Sequence, residues 1–156
     1  MDDRDRALLR ELLAHQRVLS LAVLVEGRPC AGLLPFAARP DFSAVLVHAS
    51  DLARHSKGLV PGAPFGVVIH LPDRVDADPL QLPRVTLEGT VAALERGTPE
   101  YESGRELYLA RFPGSAQTFA LGGFRLFELA FESGRLIAGF GRARSVTPRI
   151  LADLAT

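Results

Sequence analysis

The chain has 156 residues, 47% hydrophobic and 23% charged, the balance of a globular domain large enough to bury a real core. Lysine plus arginine equals aspartate plus glutamate, at 18 each, so the charge signature of a nucleic-acid-binding or membrane-surface protein is missing. The single Cys30 excludes an internal disulfide and a cysteine-based zinc site; the charged start Met1-Asp2-Asp3-Arg4-Asp5-Arg6 does not read as a signal peptide, and no apolar run reaches the roughly 18 residues of a membrane span. These features predict one cytoplasmic domain over residues 1–156.

Asp3 to His15 carries Leu8, Leu9, Leu12 and Leu13 at helical spacing, with Arg6, Arg10 and Glu11 between them, and predicts an amphipathic helix. Val18 to Val25 is rich in β-formers. Glu26-Gly27-Arg28-Pro29 reads as a turn, and Cys30 to Ala37 as the returning strand of a hairpin. Both strands are apolar at nearly every position, so both faces need cover, from barrel closure or an overlying helix. Pro35 cannot donate to a ladder, which implies an edge, a bulge or a ligand at that point. Phe42 to His48 is the third strand and Phe65 to Leu71 the fourth. The loop from Pro72 to Pro79 holds Asp73, Asp76 and Asp78 but lacks the glycine and distal glutamate of a calcium-binding EF-hand.

Arg84 to Leu94 alternates cleanly, with Val85, Leu87, Gly89, Val91 and Ala93 on one face, and Gly89 marks a bend. Thr98-Pro99-Glu100 opens a helix that runs to about Phe112, where Pro113-Gly114 stops it; Tyr101, Tyr108 and Phe112 share a face. Gly123 to Phe131 is a strand, Glu132 to Arg135 a turn, Leu136 to Gly141 the strand paired back, and Pro148 to Ala155 a terminal helix. The predicted class is α+β: an antiparallel split β-barrel of about six to seven strands with two to three flanking helices.

One stretch gathers the chemistry. The apolar run Ala44 to Val47 ends at Ser50-Asp51, two good N-cap residues, and a short helical segment follows to Gly58. A strand feeding a helix N-terminus offers free backbone N–H groups and a partial positive charge. Arg54 and Lys57 lie three residues apart, on one helix face, and His48 and His55 flank the turn. This pattern suits a phosphate or carboxylate ligand. The competing reading is an ordinary strand–turn–helix with a solvated basic face and His55 packed beneath it.

Several segments resemble the flavin-binding split-barrel family of the pyridoxamine 5′-phosphate oxidases, nearest its haem-utilisation branch. Gly32-Leu33-Leu34-Pro35-Phe36-Ala37 resembles the strand that lies by the flavin ring. Ser50 to Leu59 resembles the serine-leucine-alanine-x-histidine-x-x-asparagine-leucine stretch, with Gly58 in place of asparagine. Pro83-Arg84-Val85-Thr86-Leu87-Glu88-Gly89, Tyr108 to Pro113 and Gly139 to Ala143 resemble three further signatures in the family's order. The resemblance implies FMN at a homodimer interface. Its phosphate would lie by Ser50, Arg54, Lys57 and Arg84, its ring by Leu34, Pro35 and Phe36, with His48, Gln81 and Thr86 as further polar contacts. The plainer alternatives pair Arg84 with Glu88 along the strand and take Thr86 as a β-former.

No acid–base pair for catalysis stands out. Three readings remain open: an FMN-dependent oxidoreductase of a small substrate, a haem-binding or haem-degrading protein, and a non-enzymatic flavin-binding or dimerisation module, to which Gly58 lends weight. Against haem stand the chain's stop at Thr156, short of the extension that carries haem contacts in that branch, and the absence of any histidine after His70. The missing arginine-x-histidine signature and the absence of tryptophan argue against pyridoxamine phosphate oxidation itself.

Overall fold

Leucine spacing decides where the first helix lies. Helix α1 (Asp3–His15) has the predicted bounds; Asp2 caps it, accepting from the Asp5 amide at 2.8 Å, and Leu9, Leu12 and Leu13 are fully buried. The computed structural model describes residues 1–155. Strands β1 (Val18–Val25) and β2 (Arg28–Pro35) form a hairpin closed by a two-residue turn, with Glu26 and Gly27 both at positive φ. That turn type matches strand twist, and it is why β2 begins two residues before the expected Cys30. The remaining strands are β3 (Ala37–Ala38), β4 (Ala44–Ser50), β5 (Pro64–His70), β6 (Arg84–Leu94), β7 (Phe124–Ile137) and β8 (Ala143–Val146). All pair antiparallel in the order β2-β1-β5-β6-β7-β4-β3, with β8 on β7. The sheet curls into a half-barrel flanked by α1, α2 (Pro99–Arg111), α3 (Ala116–Phe119) and α4 (Pro148–Leu154). Pro29 and Pro35 both lie on β2, an edge strand, where a missing N–H breaks no ladder.

The inner face holds the main core. Leu19, Leu21, Val23 and Val25 of β1 meet Val67 and Ile69 of β5, Val85 and Leu87 of β6, and the leucines of α1 and α4. Asp5 is fully buried beside this core and accepts from Arg142 and, at 3.0 Å, from Arg144, so α1 is tied to β8 and to the turn before it. Two-sided cover, expected for β1 and β2, is found at β4 instead, where Ala44 to Ala49 are all buried. On β1 exposure alternates with burial, and Val18, Leu24 and Leu33 are 49%, 52% and 66% exposed.

The other face of β4 carries a second, smaller core under α2 and α3, built from Leu46, Tyr101, Tyr108, Phe119 and Leu126. His48 belongs here. Its ring stacks on Phe119 at 3.8 Å between centroids, with Tyr108 edge-on at 5.9 Å, and Thr118 Oγ1 lies 3.3 Å from Nδ1. Burial, assisted by the Arg96 charge, pushes the imidazole down to about 4.

The C-terminal half departs from the sequence reading. Glu132 to Arg135 form no turn; β7 runs unbroken for 14 residues and pairs with β6 from Leu126 to Ile137, with Glu132 left out at the register shift. The turn falls later, where Gly139 and Gly141 take positive φ. The register shifts at Glu88/Gly89, the bend foreseen at Gly89: a Cβ there would stand 1.8 Å from Ala130 O. Among the described residues no helix is long and apolar enough to cross a membrane.

Gly89→Ala should lower unfolding stability by about 1–3 kcal/mol through this backbone collision, while Gly122→Ala, with open space around it, should change it little; urea titration measures both. A second expectation follows from His48. Its folded-state value lies below the unfolded one, so the unfolded chain takes the proton first and stability falls as pH drops from 6.5 toward 4, by up to about 3 kcal/mol. Thermal unfolding across that range should lose part of its slope in His48→Leu.

Candidate functional site

The ten residues expected around a cofactor fall in three places. The first is the interior. Leu34 and Phe36 are buried, the Phe36 amide donates to Arg17 O at 3.1 Å, and the Arg111 guanidinium lies 5.7 Å from the Phe36 ring. His48 is enclosed by the aromatic rings of the second core, with Nε2 buried and without a hydrogen-bond partner among the described residues. Of the strand Leu34-Pro35-Phe36, Pro35 alone is exposed, opposite Val18.

The second is the stretch from Ser50 to Leu59, and here the structure corrects the expected helix. A turn at Asp51–Leu52 leads into a five-residue 3-10 helix, Arg54–Gly58, whose N-cap is Ala53 with no side-chain cap. Ser50 and Asp51 do not cap it. Ser50 Oγ accepts from the Leu52 amide at 3.2 Å, and Asp51 pairs with Arg125 at 2.7 Å. The amides of Asp51 and Ala53 donate to Gly123 O and Ser50 O. The amides of Asp51, Leu52 and Ala53 are thus already bonded within the protein, and so short a segment has no appreciable dipole.

Packing explains the tighter geometry. The segment lies over the inner side of β1 and β2, and a Cβ on Gly58 would stand 2.7 Å from Val23 Cγ2 and 2.8 Å from Leu24 O. Glycine in place of asparagine thus has a steric cause, independent of any cofactor. His55 packs against Gly32; its Nε2 is buried without a partner among the described residues, and burial lowers its pKa. Arg54 and Lys57 eclipse at the 3-10 period, both exposed and without a hydrogen-bond or ion-pair partner among the described residues.

The third place is the outer face at one end of β5 and β6. Arg84 and Thr86 alternate with the buried Val85 and Leu87, so both face outward, half-buried. Arg84 Nη1 donates to Leu82 O at 2.9 Å and Leu80 O at 3.3 Å, and among the described residues no carboxylate, Glu88 included, pairs with it. Thr86 Oγ1 donates to Arg135 O at 3.4 Å. Gln81 donates to Asp78 at 3.3 Å and lines an open groove of about 440 Å³, together with Leu71, Pro72, Arg74, Leu82 and Pro83. His70, outside the expected set, stands directly opposite Arg84 across the ladder. Its signal in the sequence was position: it ends a strand whose buried residues, Phe65, Val67 and Ile69, alternate away from it.

Within one chain the structure brings Gln81, Arg84 and Thr86 together with His70. It does not bring Arg54 and Lys57 to them, because the 3-10 segment packs on β1 and β2 while β5 intervenes before β6. The chemistry on offer is an imidazole and an unneutralised guanidinium beside a groove, on a sheet face that also exposes Val18 and Leu33.

No protein-family model matches this sequence, and no curated protein matches it. Among solved structures, the chain is similar to a haem binding protein from Mycobacterium smegmatis, with 26% identity and a TM-score of 0.83, covering 98% of this chain and 62% of that one. It is similar in fold to HutZ, the haem storage protein of Vibrio cholerae, with 22% identity and a TM-score of 0.70 over 80% of this chain and 87% of that one. The FAD and haem binding protein of Mycobacterium smegmatis is a third likeness of fold, with 20% identity and a TM-score of 0.61 over 91% of this chain and 81% of that one. The chain thus spans 62% of the length of the first of these proteins; by their names these three neighbours bind or store haem, and one also binds FAD.

Proposed function

We propose that residues 1–156 act as one haem-binding split-barrel domain. The observation that carries this reading is the likeness to the Mycobacterium smegmatis haem binding protein, which extends over 98% of the chain at 26% identity. Haem asks a protein for an apolar surface, a cation for its carboxylates and an axial donor; bound, it supplies an iron with an exchangeable coordination position. The described residues fit these demands on the outer face of the sheet. Val18, Leu24 and Leu33 supply exposed apolar area, and Arg84 supplies a guanidinium with no carboxylate of its own. The interior does not fit, since the ring of His48 is already stacked face to face on Phe119.

The same face supports a homodimer. Val18, Leu24 and Leu33 lie uncovered on neighbouring strands, and a second copy meeting them about a two-fold axis would remove apolar area from water on both sides. The second reading is flavin. Arg84 matches the FMN phosphate role that the family resemblance implies, and one structural neighbour binds FAD besides haem. In that case FMN would serve an oxidoreductase acting on a small-molecule substrate, with the ring carrying the redox chemistry.

Titration of the purified chain with hemin and, separately, with FMN tests the two readings. The haem reading expects a saturable Soret band that co-elutes with the protein and no retained flavin absorbance; retention of FMN with no response to hemin would reverse the order of the two. Light scattering at micromolar concentration should give twice the monomer mass, and Leu33→Glu should return it to the monomer value.

A further inference from the structure

The geometry points to His70 as the axial ligand of a haem seated on the outer face of β5 and β6, with Arg84 holding a propionate; this rests on the haem reading above. The argument begins with one hydrogen bond. His70 Nδ1 lies 2.6 Å from Leu71 O. A carbonyl only accepts, so Nδ1 carries the proton, and in the neutral ring Nε2 keeps its lone pair. Metal-binding histidines are oriented in this way, the distal nitrogen donating to a backbone carbonyl while the other faces the metal. Ligation forms the Nε2–iron bond and leaves the proton on Nδ1.

Position supports the assignment. The outward set of β5 is Pro64, Gly66, Val68 and His70, so the imidazole is exposed and turned from the core. Arg84 is its cross-strand partner, and such pairs hold their Cβ atoms about 4.5–5.5 Å apart. The amide of Leu71 donates to Pro83 O at 3.0 Å, which fixes the two strand ends at the mouth of the groove that Leu71 and Pro83 line. An imidazole that binds iron and a guanidinium that binds carboxylate thus leave the sheet side by side, on the face that exposes Val18 and Leu33. The other three histidines are committed elsewhere. His15 pairs with Glu11 at 2.7 Å, His48 is stacked on Phe119, and His55 is packed on Gly32.

Hemin titration of the full chain, read by absorbance and electron paramagnetic resonance, tests the assignment in four proteins: unsubstituted, His70→Ala, Arg84→Gln and His15→Ala. His70→Ala should lose the imidazole-ligated spectrum and bind hemin about tenfold or more weakly, and added imidazole should restore the spectrum. Arg84→Gln should keep the spectrum and weaken binding by about tenfold. His15→Ala should match the unsubstituted protein. A His70→Ala spectrum identical to the unsubstituted one overturns the ligand assignment and leaves the haem reading standing; failure of the unsubstituted chain to bind hemin overturns both.

Discussion

The fold depends on how closely the backbones of β6 and β7 approach each other at Gly89. A Cβ at that position would lie 1.8 Å from Ala130 O and 3.3 Å from the Glu132 amide, so any other residue would force the strands apart. The close approach accompanies the register shift between Glu88 and Gly89, and it lets one strand of 14 residues serve two parts of the sheet. Below the shift β7 pairs with β4 as well as β6, and above it β7 pairs with β8. A bulge increases local twist, and twist is what turns a sheet of eight strands into a half-barrel. The outward row that carries Arg84 and Thr86 lies on the far side of this bend from Val91, so the curl also sets the direction in which those side chains leave the surface.

Polar groups within this frame fall into two kinds. Asp5, wholly buried, has two arginine partners, and Arg39, beside β3, pairs with Glu128 of β7 at 2.6 Å. These charges bind one element to another and are consumed by doing so. Arg84 differs. It is held by two carbonyls, which fix its direction without cancelling its charge. A guanidinium oriented by neutral acceptors keeps its attraction for an external anion, whereas one paired with a carboxylate has largely lost it.

Much of the fold was legible in the sequence because its elements obey simple periodicities. The bounds of α1 and β6 follow from leucine spacing and strict alternation, and α2 and α4 follow from Thr98-Pro99 and Thr147-Pro148. The reading failed where polarity imitated a turn. Glu132, Ser133 and Arg135 look like loop residues, yet Glu132 is the extra residue at the register shift, and Ser133 and Arg135 pair with Glu88 and Thr86 of β6, a strand far away in sequence. It failed again at Ser50-Asp51, where good capping residues were drawn off by Leu52 and Arg125. Of the residues gathered at the candidate site, Gln81, Arg84 and Thr86 were singled out through the family resemblance, while His70 was passed over. What marks His70 is a hydrogen bond to the next residue's carbonyl and a partner across the ladder, and neither leaves a trace in local composition.

The balance between flavin and haem then turns on what stands next to the cation. A phosphate dianion is best met by converging donors, and the stretch expected to supply them, Ser50 to Lys57, has its first amides bonded within the protein and its two cations on another part of the surface. A propionate needs less: one guanidinium at the rim of an apolar face. Beside Arg84 the sheet offers Val68 and an imidazole with a free nitrogen. To a flavin that nitrogen would be one more hydrogen-bond partner, whereas under the haem reading proposed above it is the donor an iron requires. The composition of this one patch therefore favours the porphyrin, even though the resemblance that first drew attention to Arg84 belongs to a flavin-binding family.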